Sequence, residues 1–153
     1  MPTQPDYLAH FRRYAEAYEQ SLGDHVEADL IRSFFADDIM APATSGGINV
    51  GKNDRGFVQT LKQGYQFYKA IGTTSMQVRR VDVTEIAYNH DSVRVFYTSG
   101  YRRKDGSDLT IDFDVTYLAQ RTDDGPKIFA FIAGDEMGLY QQYGLVDNEG
   151  KPL

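Results

Sequence analysis

The sequence predicts an α+β domain in which helices pack on one face of a curved antiparallel sheet. Three observations predict it. Up to residue 72 the apolar residues recur three and four apart; from Thr73 they alternate two apart between turn signals; after Gly134 a short run returns to helical spacing. At 153 residues the chain has the length of one domain, which at that size buries roughly 68–70% of the surface its unfolded form exposes. We therefore read a single domain, 1–153, with a core of about 6–145 and a mobile tail after Leu145.

The first helix is expected over 6–22. Asp6 caps it, Leu8, Phe11, Ala15, Tyr18 and Leu22 form its stripe, Tyr7 and Tyr14 widen that stripe, and Gly23 stops it. A shorter helix is expected over 25–35, with Val26, Leu30, Ile31 and Phe34 on one face and Phe35 beside them. It should end before Asp37 and Asp38, since acids oppose the dipole at a helix C-terminus. Residues 41–51, which hold Pro42 and three glycines, read as an irregular connection or short strand and as the lip of a cavity. A third N-terminal helix starts from Asn53 as its cap, carries Phe57, Leu61, Tyr65 and Tyr68, and ends at Gly72.

Turn signals at 89–92, 104–107 and 122–126 then divide the chain into four strands of a meander. Val93, Val95 and Tyr97 alternate with Arg94 and Thr98, and Ile111, Phe113, Val115 and Tyr117 alternate with Asp112, Asp114 and Thr116, so one face is apolar and the other polar. The last strand, "KIFAFIAG", is apolar on both faces, which a homodimer through the sheet would explain. A short C-terminal helix closes the chain at about 136–143.

Composition narrows the function classes. A formal net charge of −6, with basic clusters only at Arg79–Arg80 and Arg102–Lys104, argues against nucleic acid or an anionic membrane surface as partner. Zero cysteines remove disulfides and thiol chemistry, and no segment reads as a secretion signal or a membrane span, so a cytoplasmic location is expected. The three histidines, His10, His25 and His90, are isolated, no metal spacing appears, and "GINVGKNDRG" lacks the ending of a phosphate loop; we assign no metal and no cofactor. The unusual feature is the aromatic content, 13% from 11 Tyr and 9 Phe. Buried tyrosine hydroxyls need partners, and a cavity with polar-edged contents supplies them.

The element order, together with "FRRYAEAYEQ", "IRSFFADDI" and the closing "FIAGDEMGLYQQYG", resembles the nuclear transport factor 2-like superfamily and, within it, the SnoaL-like group, over nearly the whole chain. Phe131, Asp135, Leu139, Gln142, Tyr143 and Gly144 fall on the spacing with which SnoaL-like proteins often close. The resemblance implies a cone-shaped fold whose helices and curved sheet enclose an apolar cavity, commonly in a dimer. Its members include polyketide cyclases, steroid isomerases, dehydratases, epoxide hydrolases and proteins that only bind or dimerise.

The resemblance gives Asp135 the acid/base role of the cyclases, while its position after Gly134 equally suits a helix cap. Tyr14 falls where the steroid isomerases carry a tyrosine that donates to a developing oxyanion, although Ala41, not an aspartate, precedes Pro42 where their base stands. Asp112 and Asp114 invite comparison with the water-activating aspartates of the epoxide hydrolases, but the alternation puts both on the polar face. Periodicity turns Tyr18, Phe35, Tyr65, Tyr68, Tyr97 and Tyr117 toward the space between helices and sheet as a ligand-binding lining. Two readings follow: a protein that binds a small, largely apolar molecule and performs cofactor-free proton transfer (cyclase, isomerase or dehydratase type), or a non-catalytic ligand-binding or dimerisation module.

Overall fold

Asp6 starts the first helix. In the computed structural model, which describes residues 3–42 and 47–153, its carboxylate accepts from the Ala9 N–H at 3.1 Å and α1 runs over Tyr7–Ser21. The second helix is shorter than its sequence suggests: α2 covers only Ala28–Arg32, and Phe35 opens a strand, β1 (Phe35–Pro42), paired with β2 (Ile48–Lys52). Asn53 explains the early stop. Its amide donates to the carbonyls of Arg32 at 3.0 Å and Phe35 at 3.2 Å and accepts from Arg32 Nε at 2.8 Å, taking carbonyls as the helix ends. The cap of α3 (Arg55–Ala70) is instead Asp54, which accepts from the N–H groups of Gly56 and Phe57.

The expectation of three consecutive N-terminal helices on an antiparallel sheet is therefore corrected. Two helices precede a hairpin, the third follows it, and β1 and β2 raise the sheet from four strands to six. The remaining elements are β3 (Thr73–Ala87), β4 (His90–Arg102), β5 (Asp108–Thr122), β6 (Gly125–Ala133) and α4 (Glu136–Gln142). The order across the curved sheet is β2-β1-β6-β5-β4-β3, and β1 runs parallel to β6, so the sheet is mixed. Phe35 and Ile39 are both buried, four residues apart on one face of β1, a spacing that a helix would also show. Residues 43–46 of the expected lip lie outside the described residues.

Helix α3 hands over to β3 at Gly72, whose φ of +89° and close approach to the Arg102 carbonyl exclude a Cβ. The tail is not loose: Leu145 and Val146 are buried, Val146 bridges to Pro152, and the Asp147 carboxylate accepts from the N–H groups of Glu149 and Lys151 at 2.9 Å. Strand β6 is apolar on both faces because it is internal, between β5 and β1. On its outer side Ile132, with Met40 of β1 and Val50 of β2, stays exposed. Among the described residues no helix is long and apolar enough to cross a membrane.

Two buried polar groups anchor α1. The Tyr7 hydroxyl donates to Asp91 Oδ2 at 2.6 Å, and Arg121 grips the same carboxylate through Nε at 2.8 Å and Nη2 at 2.7 Å. His10 is wedged edge-on between Phe11 and Phe34, with Nε2 buried and without a partner among the described residues.

Arg121, first, and then Tyr7 hold the Asp91 carboxyl below its ordinary 3.8, so this anchor is in force above that value and is lost as pH falls through the lower folded pKa. Tyr7→Phe should cost about 1.5–3 kcal/mol at neutral pH, the worth of a hydrogen bond to a charged group, and the deficit should shrink once Asp91 is protonated. Burial, and then Arg13 and Lys127, push His10 from 6.5 down to about 4, so its contribution is complete above 6.5 and drains away as pH falls toward 4. Thermal unfolding of His10→Phe across that window should show a flatter pH dependence than the parent.

Candidate functional site

A cavity of about 290 Å³ lies between the helical layer and the concave face of the sheet. Helical periodicity supplies one wall: Tyr14 and Tyr18 stand a turn apart on α1, and Leu61, Tyr65 and Tyr68 follow the same spacing on α3. Strand alternation supplies the other, from Tyr97 and Tyr101 on β4, Phe113, Val115 and Tyr117 on β5, and Phe131 on β6. Phe35 of β1 packs edge-on against Phe57, with 5.2 Å between ring centroids. Every tyrosine and phenylalanine expected from the sequence to bind a ligand, together with Tyr14, thus reaches one cavity.

The ring network leaves the hollow unfilled. Tyr18, Tyr65 and Tyr68 form a triangle with centroid separations of 5.1, 5.2 and 5.5 Å, and Tyr97 stacks on Phe113 at 5.2 Å. At the sheet the Tyr97 and Tyr117 hydroxyls share a hydrogen bond of 2.7 Å, and Ser99 donates to the Tyr101 hydroxyl at 2.8 Å. Burial pushes the phenol pKa values up, that of Tyr68 to about 12 and those of Tyr14, Tyr97 and Tyr117 well beyond the ordinary 10, so the lining hydroxyls stay protonated.

Asp135 lies outside this lining. It is exposed at the N-cap of α4, accepting from the Gly138 N–H at 2.9 Å, and a Cβ on Gly138 would collide with its carboxylate. The carboxyl that enters the cavity is its neighbour, Glu136. Sequence reasoning missed it, although Glu136 and Tyr140 are a turn apart and both line the cavity, while Leu139 of the same helix packs against a separate cluster of Ile71, Tyr101, Ile111, Leu145 and Val146. The helix N-terminus favours a charged Glu136, yet burial raises its pKa above the ordinary 4.5; desolvation outweighs the dipole. Among the described residues no Lys, Arg or His is in the lining.

The other candidates are elsewhere. Asp114 pairs with Arg94 at 2.9 Å, and Asp112 accepts from Thr98 at 2.6 Å with Arg79 at 3.8 Å, all on the outer face of the sheet. His10 borders a separate groove with Arg13 and Lys127, and His90 contacts the Tyr88 carbonyl at 2.7 Å. Among the described residues no group of three His, Asp or Glu side chains could hold a metal ion.

The raised pKa of Glu136 has a definite sign: its neutral form suits the fold, so its contribution is most favourable below 4.5 and is lost as pH rises through the folded pKa. Glu136→Gln should therefore match the parent in Tm near pH 4 and exceed it near pH 8, measured by calorimetry at both values.

The model of a family described as "NTF2-like protein (DUF6841)" matches residues 6–136. Among solved structures, the chain is similar to Aln2 from a Streptomyces species, with a TM-score of 0.61 and 13% identity over 93% of this chain and 99% of that one. It is also similar to a nuclear transport factor 2 (NTF2-like) superfamily protein from Salmonella enterica serovar Typhimurium, with a TM-score of 0.60 and 10% identity over 84% and 87%. An NTF2-like protein with a cystatin-like fold from Novosphingobium aromaticivorans gives a TM-score of 0.59 and 13% identity over 84% and 79%. At such identities the likeness shows the fold alone. No curated protein matches the sequence.

Proposed function

Because the chain belongs to the NTF2-like family (DUF6841), we propose that it binds a small, largely apolar molecule with polar edges in the aromatic cavity and transfers a proton to or from it without a cofactor. One observation carries the reading: Glu136 is a carboxyl inside an aromatic cavity whose described lining holds no cation, and burial there raises its pKa above the ordinary 4.5. Glu136 takes the acid/base role that the sequence resemblance gave to Asp135, and Tyr14 or a neighbouring tyrosine polarises a ligand oxygen. The closing motif supports a SnoaL-like assignment within the family, with reactions of the cyclase, isomerase or dehydratase type in view.

The second reading, a non-catalytic ligand-binding or dimerisation module, is favoured by two observations. Asp135 is committed to capping α4, and exposed Met40, Val50 and Ile132 on the outer sheet face suit a homodimer through the sheet.

Gly64 provides a clean test of the cavity. It lines the hollow, and an added Cβ there would meet only the Tyr68 ring, at 3.9 Å. Gly64→Leu should fill the site and abolish binding of small aromatic and alicyclic carbonyl compounds, read by tyrosine fluorescence, while leaving Tm unchanged or higher through improved helix propensity. Equal binding by parent and variant would place the ligand elsewhere. For any compound that is turned over, Glu136→Gln should cost about 10²–10⁴ in rate, whereas Asp135→Asn, which preserves a cap, should not; a rate unmoved by Glu136→Gln leaves the binding module.

A further inference from the structure

We propose that the cavity selects an organic cation, a protonated or quaternary amine, with Glu136 as counter-ion and tyrosine ring faces as walls. This rests on reading the cavity as a ligand site and adds the sign of the ligand's charge.

The charge distribution is the first argument. Among the described residues no Lys, Arg or His lines the cavity, and Glu136 is its one carboxyl. The arginines of the sheet are engaged elsewhere. Arg80 and Arg94 sit over Phe96 at 3.8 and 4.8 Å from its centroid, Arg94 also pairs with Asp114, and Arg121 holds Asp91. An anionic ligand would enter a low-dielectric hollow, meet a carboxylate and find no positive partner.

The second argument separates a cation from a neutral ligand. Eight tyrosines line the site, and ring faces carry the negative end of the aromatic quadrupole, which attracts quaternary and protonated amines in aromatic cages. Some of the hydroxyls that a neutral polar ligand would need are already used, those of Tyr97 and Tyr117 on each other and that of Tyr101 by Ser99. The Glu136 carboxyl makes no hydrogen bond or ion pair with another of the described residues, so its oxygens remain available to a ligand.

The third argument is the cost of ionising Glu136, which an incoming positive charge would offset. The groups that face it do not compete for the proton. Tyr14 and Tyr18 on α1 and Tyr65 and Tyr68 on α3 have their phenol pKa values pushed up by burial. The same holds for Tyr97 and Tyr101 on β4, Tyr117 on β5 and Tyr140 on α4. Cation binding favours the ionised carboxylate and should therefore strengthen as pH rises through the folded pKa of Glu136.

Three probes of nearly one shape and three charges test this: choline, its uncharged isostere 3,3-dimethylbutan-1-ol, and the anion 3,3-dimethylbutanoate. Titration calorimetry should show choline binding at least about tenfold more tightly than the alcohol, with that advantage growing as pH rises, and no binding of the anion. Glu136→Gln should remove most of choline's advantage over the alcohol; a thermal scan confirms that the variant is folded. If the alcohol binds as well as choline, or if the advantage survives Glu136→Gln, the charge assignment is wrong and the cavity remains a neutral-ligand site. If none of the probes binds, and Gly64→Leu likewise leaves no compound's binding to lose, the ligand-site reading fails with it.

Discussion

One hydrogen bond sets the site. The Gly138 N–H donates 2.9 Å to Asp135, and this cap fixes where α4 begins and which way its first turn faces. With the Asp135 carboxylate folded back over Gly138, the chain delivers the next side chain, Glu136, into the hollow and places Tyr140 one turn behind it. The same short segment thus divides two acids between two jobs. Asp135 satisfies backbone at the surface, and Glu136 sits where desolvation, not a partner, sets its proton affinity.

The hollow survives because its walls are large rings held at both ends. Tyr7 ties the start of α1 to the Asp91–Arg121 pair, two turns before Tyr14, and Asn53 ties the end of α2 to the start of β1 and to the entry of α3. Between these anchors the rings of α1 and α3 meet one another edge-on or tilted, and the hydroxyls on the sheet side pair among themselves. On the sheet side the hydroxyls of Tyr97, Tyr117 and Tyr101 thus find partners without cations. That is why a chain rich in tyrosine can enclose an apolar space with a single acid in it.

Much of this was legible in the sequence wherever a side chain's direction follows from local period alone. The stripes of α1 and α3 and the alternation in β4 and β5 put Tyr14, Tyr18, Tyr65, Tyr68, Tyr97 and Tyr117 on the correct side, and the same alternation put Asp112 and Asp114 outside. Phe35 reads as the end of the second helix, and the strand that it opens, Phe35–Pro42, depends on pairing with β2 and β6, which local spacing does not show. Asn53 and Asp54 are both good caps in isolation, and only the carbonyls of Arg32 and Phe35 decide between them.

The sequence by itself determined the fold class, the aromatic lining and the absence of thiol chemistry, since composition and periodicity act through local geometry. Tertiary structure alone decided that β1 joins β6 in parallel, that Asp135 faces water and that Glu136 does not. The physical reason is the same in each case: neighbouring residues with the same local propensity are told apart only by the partners that distant parts of the chain bring to them.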